Sequence, residues 1–309
     1  MTLTNEEFLA LAEKHGPKLC TAEAGDGPAL LMANWTEIHN VLMIGLASND
    51  ETERRRTVLV VHGLRNWYST LGEGDPDDLK GAAHVAAGVA GLEEVHGNLY
   101  RFLGDTLVRR GNDVDAKHWY STAISAYNAN QDKVPNAARW ITSCTRGLGD
   151  IAFRAGDYAE AQQRFRTALE GFRTLPEPDL LGVANCLRRV GNVAFMREFP
   201  QVAMGYYNEA WKLYVKVGPA IDAGDCLAGM ARAALKTDSH VDAMHHLYAA
   251  IAMFEQVNDV TGMSRALALR ATIHQSLHQT EAAERDQAVA NQLHRKLKLP
   301  GDEATDVIR

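Results

Sequence analysis

The chain has 309 residues, 46% of them apolar, with 32 Lys and Arg against 39 Asp and Glu for a net charge of -7. It is long enough to bury one long or two short cores, and its mild acidity argues against a dedicated nucleic-acid binder: the basic runs, such as Arg54-Arg55-Arg56, are short, and this one is flanked by Glu51 and Glu53. No apolar run reaches the roughly 20 residues of a membrane span, and the first residues, Met1-Thr2-Leu3-Thr4-Asn5-Glu6-Glu7, are polar and unlike an export signal, so the expectation is a cytoplasmic protein that meets no membrane.

The N-terminal third reads as helical. Thr4 and Glu7 form a capping box ahead of "FLALAEK"; "HGPK" at 15–18 and "EAGDGP" at 23–28 interrupt the chain; "GPALLMANWTEIHNVLMIGLAS" and "DETERRRTVLVVHGLRNWYSTL" carry apolar residues at helical spacing. "GEGDPDD" at 72–78 closes this region, and Asp75-Pro76 opens an Ala-rich helix, "LKGAAHVAAGVAGL", either a packing helix or the lead-in to the first clear repeat.

From residue 103 the sequence repeats itself. "LGDTLVRRGNDVDAKHWYSTAI" at 103–124, "LGDIAFRAGDYAEAQQRFRTAL" at 148–169, "VGNVAFMREFPQVAMGYYNEAW" at 190–211 and "MARAALKTDSHVDAMHHLYAAI" at 230–251 share a hydrophobic-small pair, an Ala twelve residues on, then an aromatic or Leu and a further Ala. A faded copy at 270–291 keeps Ala271, Ala283 and Ala290. The head residues Gly104, Gly149, Gly191, Ala231 and Ala271 are 45, 42, 40 and 40 residues apart. Each unit reads as two amphipathic helices around a turn (Gly111-Asn112, Gly156-Asp157, Glu198-Phe199-Pro200, Asp238-Ser239), and small head residues let neighbouring helices approach closely. Cys144, Cys186 and Cys226 fall five residues before three successive heads, a column that reads as small buried side chains rather than a metal or redox ladder. The stretch around Gly45 could be one more, eroded, copy.

These columns resemble those of the tetratricopeptide repeat family, in a long form of about 40 to 42 residues, over roughly residues 92–297. The resemblance implies an all-α fold, a right-handed superhelix of stacked antiparallel helix pairs preceded by an N-terminal helical region. The chain divides on this reading into a helical region at 1–75, repeats at 76–297 and a C-terminal tail at 298–309. The family's tryptophan and its repeat-closing proline are missing or displaced here.

The resemblance also implies where a partner would bind. In the family the first helix of each pair lines an inner surface, with residues three before and one after the head facing it. Those columns hold Arg101 with Asp105, Arg146 with Asp150, Arg188 with Asn192, and Ala228 with Arg232; Asn185 and Arg265 lie near the same face. Several relatives grip a peptide carboxylate or backbone with Lys, Arg and Asn there, which makes Arg101, Arg146, Asn185, Arg188, Asn192 and Arg232 the candidate ligand-binding set, for a peptide or protein with acidic or carboxylate groups. Arg101/Asp105 and Arg146/Asp150 are also i,i+4 pairs that a solvated helix face would carry, whereas Asn192 leaves Arg188 without a local acid. Peptide-sensing bacterial regulators have a similar layout, but no basic recognition helix is present for DNA.

No P-loop, dinucleotide fingerprint, nucleophile elbow or HExxH occurs, and His274/His278 with His245-His246 lack the converging ligands of a metal site, so no metal and no cofactor is expected. The leading reading is a scaffold that holds a partner peptide or protein in a groove. The competing one is an enzyme with a small-molecule pocket between the N-terminal helices and the first repeats, lined from His62, Trp67, Tyr68, His84, Glu93, Glu94 and His96, with no catalytic residue assigned. A third is a structural role in a homo-oligomer, whose sign would be an exposed apolar final repeat.

Overall fold

Thr4 caps the first helix as its sequence predicts: the Glu7 amide donates to Thr4 Oγ1 at 3.3 Å and the Thr4 amide to Glu7 Oε2 at 2.7 Å. The computed structural model describes residues 3–21 and 23–297, so the tail read at 298–309 lies outside the described residues. Internal packing divides the chain into two compact units, Met1–Gly156 and Asp157–Arg309, a division that falls inside the repeats rather than at their start.

The first unit contains α1 (Asn5–His15), a 3-10 turn (Gly16–Lys18), α2 (Gly27–Ala33), α3 (Trp35–Ala47), α4 (Glu51–Gly63), α5 (Arg65–Ser69), α6 (Pro76–Ala87), α7 (Glu93–Arg109), α8 (Asp113–Ala129) and α9 (Ala137–Arg154). The second contains α10 (Tyr158–Arg173), α11 (Leu180–Met196), α12 (Pro200–Val217), α13 (Ala220–Leu235), α14 (His240–Gln256), α15 (Val260–Ser276) and α16 (Thr280–Leu297). Among the described residues there is no strand, and the fold is an all-α repeat. Most consecutive helices pack on one another within each unit, and α6 packs on α4 and α7.

Two long apolar stretches of the N-terminal third are each split in two. Asn34 separates α2 from α3 by donating its Nδ2 to the Leu30 carbonyl at 2.8 Å, and α4 ends at Gly63 before the short α5. The turns inside the repeats fall where the sequence puts them. Gly111 and Gly156 take positive φ there, and Asn112 and Asp157 cap the next helices, accepting from the amides of Asp115 and Glu160 at 3.2 and 2.9 Å. In the third and fourth repeats Glu198 (φ 61°) and Asp238 (φ 56°) bear the same left-handed turn without glycine.

Two of the head glycines do a different job from the one their spacing suggests. A Cβ on Gly104 would lie 2.8 Å from the Tyr120 ring, and one on Gly191 would lie 2.9 Å from the Tyr207 ring, so each glycine makes room for an aromatic rather than chiefly for a backbone. The far edge of each ring meets a second glycine in the next repeat: Gly147 at 2.7 Å for Tyr120 and Gly229 at 2.9 Å for Tyr207. A second aromatic column, Tyr127, Phe172, Tyr214 and Phe254, lies seven residues further on and is buried throughout. Gly97 faces Tyr127, Gly182 faces Phe172, and Gly224 and Gly262 both face Phe254; a Cβ on any of the four would lie 2.4–2.7 Å from the ring.

The eroded repeat at Gly45 keeps the same register. Its Cβ would collide with Thr57 Oγ1, twelve residues later, where the other repeats carry Ala116, Ala203 and Ala243, and Thr57 is buried on α4. The cysteine column is the packing feature expected: Cys144, Cys186 and Cys226 are buried and form no disulfide, and burial pushes the thiols of Cys144 and Cys226 up to about 12. At the end of the second unit, α16 turns Glu281, Glu284, Arg285, Gln287 and Asn291 outward. Ala288 and Val289 are exposed on the same helix.

This packing sets two expectations. Gly229→Ala places a methyl against a ring that Gly191 already confines on the other side; we expect a loss of about 1–2 kcal/mol net of the better helix propensity, read by urea denaturation. His62 is half-buried, and desolvation together with Arg65 and Arg101 depresses its pKa to about 4, while its Nε2 has no hydrogen-bond partner among the described residues. The folded state therefore refuses a proton that the unfolded chain accepts below about pH 6.5, and stability should fall by about 3 kcal/mol as pH drops from there towards 4. A His62→Gln variant whose urea midpoint keeps the full slope in that window would exclude this origin.

Candidate functional site

In the second unit the first helices of three successive repeats, α11, α13 and α15, together with Phe254 of α14, line a cavity of about 520 Å³. Taking residues three before and one after each head gives Arg188 and Asn192, Ala228 and Arg232, Ala268 and Thr272, and all six line it. Asp225 and Arg265 join them at the polar side; Phe254, Ala266 and Leu269 contribute apolar surface. The volume is within the range of ligand sites, and a few polar groups over an apolar floor is their usual composition.

The core orients two of the candidate side chains from behind. Tyr207 donates to Asn192 Oδ1 at 2.8 Å and Tyr214 donates to Asn185 Oδ1 at 2.9 Å. Burial pushes both phenols up to about 12, so they remain donors at any physiological pH. With its oxygen engaged, the Asn192 amide has N–H groups left to offer, and the cavity it lines gains donors rather than acceptors.

Arg188 corrects its sequence reading. It is not uncompensated: its Nη2 lies 3.0 Å from Asp222 and its Nη1 3.6 Å from Asp225, both on the next first helix, and its Nε donates to Tyr214 at 3.4 Å. Asn192 does remove the acid four residues away on the same helix, but the acids that matter come from the neighbouring repeat. Arg232 is exposed, and its guanidinium lies 5.3 Å from the Phe195 ring centre. Asp225 also holds Arg265 at 3.3 Å.

Arg101 and Arg146 belong to the first unit and line no part of this cavity. Arg101 is no solvated surface residue either: it pairs with Asp105 at 3.3 Å, lies over Phe102 and Trp140, and is 17% exposed in its side chain. Asp105 in turn accepts from Tyr120 at 2.6 Å, the structural counterpart of Asn192 with Tyr207. Arg146 is half-buried, with an Nε that has no hydrogen-bond partner among the described residues.

The residues named for an enclosed catalytic pocket do not converge. Trp67 and Tyr68 are core; Glu94 accepts from the Trp140 indole at 2.9 Å; Glu93 pairs with Lys133 at 3.4 Å; His96 lies against Tyr100. A groove of about 550 Å³ does exist between α3, α6, α7 and α8, lined by Met43, Leu46, Lys80, Val85, Tyr100 and Trp119 among others, but of the seven named residues only His84 reaches it. Among the described residues no group of three or more His, Cys, Asp or Glu could hold a metal ion.

The architecture thus defines the chain as an all-α helical-repeat protein with a polar-rimmed cavity in its second unit. Residues 141–214 match the family model of the tetratricopeptide repeat, and these are tetratricopeptide-type repeats, as the sequence columns indicate. Similar solved structures include the apo form of RapI (TM-score 0.65, 11% identity, covering 94% of this chain and 98% of that one). The aspartyl phosphate phosphatase F of Bacillus subtilis gives a TM-score of 0.60 at 12% identity, covering 96% and 77%. A Rap protein complexed with competence and sporulation factor gives 0.57 at 14%, covering 95% and 79%. At these identities the likeness is one of fold. No curated protein matches the chain in sequence.

Arg188→Ala would leave Asp222 and Asp225 without a shared cation between α11 and α13. The expected cost is about 1–2 kcal/mol, discounted for partial exposure, measured by thermal or urea melting. An unchanged midpoint would show that this pair does not hold the two helices.

Proposed function

We propose that this protein is a binding scaffold that holds a partner peptide, or an extended segment of a partner protein, in the cavity of its second unit. The observation that carries the reading is the convergence of Arg188, Asn192, Arg232 and Arg265 on one cavity with Phe254 and Leu269 in its lining. A peptide offers matching chemistry: carbonyl oxygens for the Asn192 amide, a carboxylate for a guanidinium, an apolar side chain for the floor. The Rap protein complexed with competence and sporulation factor shares the fold, which supports a ligand-binding use of it. No described helix is long and apolar enough to cross a membrane, and the reading places the protein and its partner in the cytoplasm without nucleic acid.

Within the site the roles divide. Arg188 is committed to Asp222 and Asp225 and holds the wall; Arg232, exposed and without a carboxylate partner among the described residues, is the anion receptor; Asn192 reads backbone. Native mass spectrometry of the protein isolated from its own host identifies a co-purifying peptide or protein, and titration of that partner then tests the site. Arg232→Glu should weaken it more than tenfold, about 1.4 kcal/mol, with the melting temperature unchanged. Equal affinity in the variant would take Arg232 out of the site, and a co-purifying small molecule in place of a polypeptide would overturn the reading.

A further inference from the structure

The cavity brings three guanidinium groups, of Arg188, Arg232 and Arg265, around one carboxylate, that of Asp225. Asp225 reaches two of them, Arg188 at 3.6 Å through Oδ2 and Arg265 at 3.3 Å through Oδ1. Asp222, which does not line the cavity, meets Arg188 from the other side at 3.0 Å. Arg265 is 65% exposed in its side chain, so little besides Asp225 fixes where its charge points.

Arg188 is paired with Asp222 behind it and Arg265 with Asp225, which leaves Arg232 as the cavity-lining guanidinium with no carboxylate partner among the described residues. Resting on the reading that this cavity receives a ligand anion, we propose that Asp225 is its specificity-determining residue. It acts as a resident counter-anion that occupies Arg188 and Arg265 and limits the cavity to ligands bearing a single negative charge there. A monocarboxylate fits this balance. A phosphate dianion, or two adjacent acidic side chains, has to displace Asp225 from two arginines or sit beside it, and the carboxylate repels it from within a few ångströms. Removing one unit charge at that range, in the intermediate dielectric of a cavity rim, is worth about tenfold in the affinity of a dianion and less for a monoanion. An arginine cluster alone would predict the opposite preference, since guanidinium forks bind phosphate well.

The test uses the full chain labelled at arginine Nε with 15N, titrated separately with acetate and inorganic phosphate at a pH where phosphate is a dianion. In the unmodified protein acetate should shift the Arg232 signal at lower concentration than phosphate does. In Asp225→Asn, phosphate should bind about tenfold tighter, shifting Arg188 and Arg265 as well, while acetate gains less. Asp222→Asn deletes the same charge outside the cavity lining and should leave the phosphate-to-acetate ratio near its original value, which separates a specific role from a change in net charge. Asp225→Ser is read in the same way if the asparagine variant does not fold. A ratio that Asp225→Asn does not move, with acetate still shifting Arg232, overturns the proposal and leaves the binding reading intact. A phosphate preference already present in the unmodified protein overturns it too. Silence from every cavity arginine with both anions and in every variant removes this proposal together with the anion-binding reading beneath it.

Discussion

One steric condition recurs in both aromatic columns: a ring on a second helix lies where a first helix carries no Cβ. Tyr120 between Gly104 and Gly147, and Tyr207 between Gly191 and Gly229, meet that condition with a glycine on either side of the ring. A ring held this way spans a helix pair and its successor at once, so the repeats bury a shared core that no single hairpin could assemble. The turns, caps and buried cysteines are consistent with that stacking and do not replace it.

Most of the repeat architecture can be read in the chain because the condition is written at fixed distances. The head column, the alanine twelve residues on and the intra-repeat turns fall where the spacing puts them, and even the Gly45 stretch keeps the register through Thr57. The second aromatic column carries the same 45, 42 and 40 spacing from Tyr127 to Phe172, Tyr214 and Phe254. It escapes notice because the self-similar windows stop three residues short of it. Gly147 and Gly229 escape for another reason: their partner ring belongs to the preceding repeat, and aligning one copy with another pairs equivalent residues without showing which of them touch.

The site is legible to the extent that it keeps to a column. Arg188, Asn192 and Arg232 line one cavity because the positions beside each head residue point the same way in α11, α13 and α15. Charge balance is what the columns do not carry. Asp222 and Asp225 lie more than thirty residues from Arg188 in sequence and are its nearest anions in space, so judging a charge by its own helix makes Arg188 look free when it is held. Arg101 shows the same failure in the other direction, since an i,i+4 pair typical of a wet surface is here covered by Phe102 and Trp140.

Phe165 fills the column of Tyr120 and Tyr207 and is fully buried without a hydroxyl, so stacking needs only the ring. The oxygen on Tyr207 adds something that packing does not use: it fixes which way round the Asn192 amide sits. The interior therefore writes a direction onto the surface. Losing that hydroxyl would cost the stack little and leave the cavity lined by a side chain free to present either its oxygen or its nitrogen, so the fidelity of recognition can change while the scaffold stays as it is.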